Sequence, residues 1–300
     1  GHNNNTEYAV CISNKVIKKV STKYFILACG GIENSRILLW TREKNQTFID
    51  SELPIGKYWM NHPWILAGDG IINKKKLKKK LKDNFLEYDG PLHFAAKKEL
   101  LTKKKILSAG IYMNANEDTK IYKETIKNIL CVAPEYGKKI ARMVFKKDLK
   151  CGNIFMHIEE EPTENNKIIL DEEKDKSGIP MVKLLYKKSH YSLKTAKLFL
   201  EEFGNLCLKD DLGRIAIKDS IYNLEEFENL GAGCHHMGGT RMGIEKFNSV
   251  VNKDLKVHDI NNLYISGSSS FFTGGYTNPT FTIVQLAVRL AEKIKERLQT

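Results

Sequence analysis

Two segments at opposite ends of this chain share one construction, and that pairing constrains the fold more than any other feature. Near the start, the apolar residues 24–28 lead into Gly30-Gly31, and Asn34-Ser35-Arg36-Ile37-Leu38-Leu39-Trp40 follows with helical character. Near the end, Leu263-Tyr264-Ile265-Ser266 runs into Gly267-Ser268-Ser269-Ser270, and a last helix starts near Pro279. A strand, a glycine turn and a helix in that order suit an α/β nucleotide-binding layer, where glycine lets backbone approach a ligand closely. Ile283, Leu286, Ala287, Leu290, Ala291, Ile294 and Leu298 mark one face of the final helix. Asn278 is placed to cap that helix, and Pro279 suits its first position.

The middle has another character. Charged insertions separate β-like runs at residues 106–113, 153–160, 167–170 and 181–186, with a polar turn at 171–178. Residues 190–207 carry apolar side chains at amphipathic-helix spacing. The expected fold class is therefore α/β (α+β), with a discontinuous α/β domain formed by 1–60 and 228–300. It is interrupted by a domain of residues 61–227, with an antiparallel sheet flanked by helices.

Composition narrows the functional classes. The 300 residues are 42% hydrophobic, enough for a core, and the net charge is +12. Much of the excess lies in Lys74-Lys75-Lys76-Leu77-Lys78-Lys79-Lys80-Leu81-Lys82. No aromatic residue is interleaved there for base stacking, so the run reads as a solvated insertion and no specific nucleic-acid partner is expected. No apolar run approaches the roughly 18 residues that span a bilayer. The six cysteines are scattered without a C-x-x-C pair, which points to reduced thiols and a cytoplasmic setting. A first residue of Gly1 fits a chain that begins after processing, after a tag, or partway through a longer polypeptide.

The chemistry concentrates in Cys234-His235-His236-Met237-Gly238-Gly239-Thr240-Arg241-Met242-Gly243 and in Gly274-Gly275-Tyr276-Thr277-Asn278-Pro279-Thr280. A histidine pair can ligate metal, but no third ligand stands at a tight spacing, so no metal is expected. One histidine can be a buried, hydrogen-bonded residue, or it can be a general base, because imidazole titrates near neutral pH. The final helix can be an ordinary capped helix. Its unsatisfied N–H groups and dipole can also hold negative charge.

These motifs resemble the C-terminal half of the glucose-methanol-choline (GMC) oxidoreductases, flavoproteins that oxidise alcohols and sugars. The resemblance extends to Ile26-Leu27-Ala28-Cys29-Gly30-Gly31-Ile32-Glu33-Asn34-Ser35-Arg36, to Gly56-Lys57-Tyr58-Trp59-Met60-Asn61-His62-Pro63, and to Glu159-Glu160-Glu161-Pro162 with Asn166-Lys167-Ile168. It implies FAD as cofactor, 1–60 and 228–300 as part of the FAD-binding domain, and 61–227 as the substrate domain. It also implies a sugar or alcohol substrate. His236 takes the place of the family's catalytic histidine, and Asn278 that of the second active-site residue. In the implied mechanism His236 removes the hydroxyl proton while hydride passes to flavin N5. Ala28, Gly30, Gly267, Ser268, Asn278, Pro279 and Thr280 take cofactor-binding positions, and the last helix would face the flavin N1/C2 region.

The family's G-x-G-x-x-G fingerprint is missing. The closest string, Gly231-Ala232-Gly233-Cys234-His235-His236, lacks the third glycine and a preceding strand. A Rossmann segment supplied in cis or in trans is thus an expected partner. The alternatives are a non-catalytic fragment or anion-binding scaffold, and the same fold used for lyase chemistry.

Overall fold

The computed structural model describes residues 4–13, 16–80, 92–115, 149–231 and 233–299. In chain order the elements are β1 (Ala9–Ser13), β2 (Val16–Val20), β3 (Phe25–Leu27), α1 (Gly30–Lys44), β4 (Trp64–Asn73), α2 (Lys74–Lys80), β5 (Leu92–Ala95), α3 (Lys98–Lys104) and β6 (Ala109–Ala115). There follow β7 (Leu149–Ile158), β8 (Lys167–Lys174), β9 (Pro180–Leu185), α4 (His190–Lys209), β10 (Gly213–Ile217), α5 (Leu224–Asn229), β11 (Leu263–Ile265) and α6 (Thr280–Gln299). They form two compact units, one of Gly1–His62, Glu159–Ser189 and Gly233–Thr300, the other of Pro63–Ile158 and His190–Ala232.

In the first unit the two glycine-ended strands lie side by side. β3 and β11 pair in parallel, Phe25 against Leu263 and Leu27 against Ile265, and the Ser266 N–H extends the ladder to the Leu27 carbonyl at 2.8 Å. Both strands therefore end at one edge, where a doubly wound layer takes its ligand. Phe25, Leu263, Tyr264 and Ile265 pack with Leu38 of α1 and with Leu290 and Ile294 of α6. The α6 face is only partly used, because Leu298 is exposed. A neighbouring stripe of Phe281, Val284 and Val288 is also exposed, at 72%, 54% and 53%. The helix starts one residue later than the sequence suggests: the Pro279 carbonyl accepts the first bond, from the Ile283 N–H at 3.0 Å, which puts Pro279 rather than Asn278 at the cap.

The β8–β9 hairpin also clusters in this unit, whereas the sequence reading groups residues 167–186 with the middle. Its contacts explain the grouping. Arg36 Nη2 bonds Asp175 at 2.7 Å and Arg36 Nε bonds the Pro180 carbonyl at 2.6 Å. The Ile168 N–H meets the Gly56 carbonyl at 2.9 Å. The guanidinium, with backbone N–H groups of the hairpin turn, holds the Asp175 carboxyl below the usual carboxylate range.

The second unit is an antiparallel sheet in the order β10-β4-β7-β6-β5. One face is apolar, with Ile65, Ala67, Ile111, Met113, Ile154, Met156 and Ile158 buried against Ala196, Phe199, Leu200 and Phe203 of α4. The run expected as a strand from 106 pairs only from Ala109. The Ile106 N–H instead closes α3 on the Leu101 carbonyl at 3.1 Å, and the Leu107 N–H is taken by Thr195 Oγ1 at 3.0 Å. Lys74–Lys80 of the lysine run forms α2, and its Lys76 and Lys80 pair with Asp211 and Asp210. Such exposed pairs add little stability but do neutralise part of the run. Among the described residues no helix is long and apolar enough to cross a membrane.

Candidate active site

The turns after the two parallel strands build a platform for the histidine segment. Ala28, Cys29 and Gly30 form an exposed turn, and Gly30 adopts a φ of +95° with nothing within 4 Å of a built Cβ. Gly267, at φ +119° and ψ −178°, turns the chain from β11 into a short 3-10 turn over Ser268–Ser270. Asn34 ties the two turns together. Its Oδ1 accepts the Cys29 N–H at 2.9 Å, while Nδ2 donates to the Ser266 carbonyl at 3.2 Å and Ser269 Oγ at 2.9 Å. Asn34 is fully buried, so its truncation leaves polar groups unsatisfied. Asn34→Ala is expected to cost about 2 kcal/mol in denaturant unfolding.

Onto this platform the histidine segment is laddered. The Gly238 N–H bonds the Ser268 carbonyl at 3.1 Å, Thr240 N–H the Ser269 carbonyl at 3.0 Å, and Met242 N–H the Ser270 carbonyl at 2.8 Å. Ser268 Oγ donates to the His236 carbonyl at 2.6 Å, so Ser268 acts on the histidine segment through both its backbone and its hydroxyl. Gly238 and Gly239 have φ of +73° and +87°, a region glycine occupies without strain. On the far side Met60 and Met237 exchange backbone bonds at 2.8 and 3.0 Å. Asn61, 2% exposed, donates to the Gly233 carbonyl at 2.7 Å and accepts from the His62 and His235 N–H groups at 2.8 and 3.3 Å.

These contacts fix the His236 ring. It lies 5.6 Å from the Trp59 ring at 32°, and Trp59, 1% exposed, meets Tyr186 edge-on at 5.1 Å. Tyr186 donates to the buried Glu160 carboxylate at 2.8 Å, and its own hydroxyl pKa is pushed far up, by burial first and then by that carboxylate. Tyr58 precedes Trp59 at φ +60°, an uncommon state for a bulky residue. The resulting reversal sends the Tyr58 ring onto the Arg241 guanidinium, 3.5 Å from its centroid. His236 is half-buried, and its Nδ1 is enclosed without a hydrogen-bond partner, whereas Nε2 is not so enclosed. Burial, and then the neighbouring His235, lower its pKa below the ordinary imidazole value, so the ring is neutral at neutral pH.

His235 packs edge-on against buried His62 at 5.3 Å. Gly274 abuts the same pair of segments: a built Cβ there lies 3.0 Å from Met237 Cε and 3.6 Å from His62 Cε1. The Gly275 N–H donates to Glu159 Oε1 at 3.1 Å, and a built Cβ at Gly275 meets open space. The loop bearing Asn278 thus passes beside the histidine segment, with Asn278 and Thr280 exposed and Pro279 buried. Among the described residues no cluster of three or more His, Cys, Asp or Glu side chains could hold a metal.

Sequence reasoning did not single out Asn34, Trp59 and Asn61 as supports of the site. Their only signal was membership of glycine-rich motifs that already looked familiar.

The sequence model of the GMC oxidoreductases matches residues 162–287. That match covers less than half of this chain and marks a likeness to the C-terminal portion of the family. It is 25% identical over 299 residues to the fructose dehydrogenase large subunit of Gluconobacter japonicus, covering 95% of this chain and 49% of that one. It is 28% identical over 285 residues to the 2-methyl-1,2-propanediol dehydrogenase of Mycolicibacterium austroafricanum, covering 93% and 49%. Among solved structures, pyridoxine 4-oxidase from Mesorbium loti superposes with a TM-score of 0.61 at 10% identity, covering 98% of this chain and 55% of that one. That likeness shows the fold. The chain spans about half the length of the curated relatives it matches.

Proposed function

We propose that this chain is part of a GMC oxidoreductase, an FAD-dependent enzyme that oxidises the CH–OH group of a sugar or alcohol. The observation that carries the reading is the His236 imidazole: held on both sides by backbone ladders, kept neutral by burial, with Nδ1 enclosed and Nε2 the nitrogen left for a substrate. Such a nitrogen accepts a hydroxyl proton. Asn278 supplies a carboxamide that can orient the same hydroxyl. FAD supplies the hydride acceptor when bound. The residues fit a flat, anionic group: the exposed turn at Ala28–Gly30 and the turns at Gly30 and Gly275 leave open space, and Gly267 keeps a conformation that favours glycine. Pro279 and Thr280 begin a helix whose amide end favours negative charge.

A further segment belongs to this reading, in cis or in trans. Its supports are the half-length match to relatives, the exposed Phe281/Val284/Val288 stripe, and Ile26 in β3, 45% exposed although parallel strands are normally covered on both faces. We take 1–60 with 228–300 as the cofactor-side segments and 61–227 as the substrate side, with the hairpin 159–189 joining the former.

The test is anaerobic mixing of the FAD-loaded enzyme with a hexose or a small diol. Loss of oxidised-flavin absorbance supports the reading, and substrate turnover with the flavin left oxidised would point to lyase chemistry. The depressed His236 pKa adds a pH signature. The base must be unprotonated, so the reduction rate is expected to rise with pH and level off through an apparent pKa below about 6.5. A stopped-flow profile with its midpoint above that value would contradict the assigned base.

A further inference from the structure

The loop between Phe271 and Pro279 is fixed at both ends and has little to hold it between them. Phe271 is buried, with its N–H on the Ser268 carbonyl at 3.1 Å, and Pro279 is buried at the head of α6. None of residues 272–278 is proline, so each carries a backbone N–H. Among the described residues they nevertheless make a single hydrogen bond, from the Gly275 N–H to Glu159 Oε1 at 3.1 Å. Gly275 turns the chain at this bond with φ +62°, a state open to glycine. Beyond it, the Phe272 ring centroid lies 4.5 Å from Arg241 Cζ, and Gly274 sits against the Met237 side chain. Glu159 and the loop both belong to the first unit.

The acceptor stands on a firm base. Its neighbour Glu160 is fully buried and accepts the Tyr186 hydroxyl at 2.8 Å and the Ser189 N–H at 3.0 Å. Those bonds fix the backbone from which half-buried Glu159 reaches Gly275. A carboxylate that accepts a backbone N–H makes one of the stronger hydrogen bonds. A loop with two adjacent glycines and one polar contact has few other means of keeping a single conformation. Asn278 lies three residues beyond Gly275, exposed, and precedes buried Pro279, whose ring restricts the far end. The bond at Gly275 therefore settles the direction from which the chain arrives at Asn278.

We infer that Glu159 is a positioning residue: its carboxylate pins the loop at Gly275 and so sets where the Asn278 carboxamide stands. The catalytic consequence rests on the proposed oxidation of CH–OH substrates, in which Asn278 orients the hydroxyl. The pinning itself is read without flavin, from hydrogen exchange of the Gly275 amide in the full chain by NMR. In Glu159→Ala that exchange is expected to accelerate about tenfold or more. In Glu159→Gln, which keeps an acceptor oxygen at the same reach, it should stay within about threefold of the parent. If Glu159→Ala does not fold, Glu159→Leu, bulkier and still without an acceptor, carries the same comparison. Unchanged exchange in the variant that lacks an acceptor overturns the inference. In the FAD-loaded enzyme, Glu159→Ala should slow flavin reduction about 10–100-fold, as a displaced positioning group does, with Glu159→Gln restoring most of the rate. A double-mutant cycle with Asn278→Ala separates positioning from general stability. Once the Asn278 carboxamide is gone, the further loss of Glu159 should slow reduction by no more than about threefold. Losses that multiply in full would overturn the inference. An enzyme whose flavin no sugar or alcohol reduces would sink the proposed function alone, and Gly275 exchange would still decide the pinning.

Discussion

Replacing His236 with Ala is expected to slow flavin reduction in the FAD-loaded enzyme by about 10²–10⁴-fold, the usual contribution of a positioned general base. The backbone around the residue should survive the change, because the contacts there use the His236 carbonyl and the N–H groups of Met237 and Gly238 rather than the ring. What is lost is the imidazole and its packing on Trp59. Unfolding free energy should therefore fall by only about 1 kcal/mol, the size of one ring contact. That separation is the informative part. A rate loss with near-normal stability identifies chemistry, whereas parallel losses would mean that His236 is a packing residue. His235→Ala is the matched control. Its ring touches His62 edge-on, and the same reduction rate should change by no more than a few-fold. A variant of His236 that reduces flavin at a near-normal rate would place the proton acceptor elsewhere.

The parts of this site that were legible in the sequence are those where backbone geometry demands a residue type. Gly30, Gly238, Gly239 and Gly267 all have positive φ, and each stands in a motif visible without coordinates. Long periodic segments were equally readable: α4 occupies His190–Lys209 and α6 Thr280–Gln299, close to where apolar spacing put them. Strands buried on one face were harder. β4 and β10 pair at the sheet edge, yet β4 contains Gly68, Asp69 and Gly70, which break any alternation. The glycines fit there because the chains approach closely: a Cβ on Gly68 would stand 2.2 Å from the Ala216 carbonyl. Partnerships between distant segments left no trace at all. Asn34 bonding Ser269 and Asn61 bonding Gly233 join segments more than 170 residues apart, and such a pairing is set by how the chain folds rather than by either segment.

The two adjacent glycines at the head of α1 make the second large prediction, because they are glycines for different reasons. Gly30 has φ +95° with open space where a side chain would go. Gly30→Ala therefore pays only the left-handed backbone penalty, about 1–2 kcal/mol. Gly31 carries no positive φ, but a Cβ on it would stand 2.3 Å from the His236 carbonyl oxygen and 2.7 Å from its Cβ. Neither atom belongs to a flexible side-chain end, and the carbonyl is already fixed by Ser268 Oγ at 2.6 Å. Gly31→Ala must displace either α1 or the histidine segment, and overpacking of that kind costs about 3 kcal/mol or more. Chemical denaturation of the two variants should show the larger loss at position 31, the reverse of what backbone angles alone imply. Flavin reduction should follow the same order, since only the substitution at 31 pushes on the residue that carries the base. Equal stability losses would show that α1 yields freely, and the tight seat described for His236 would then be wrong.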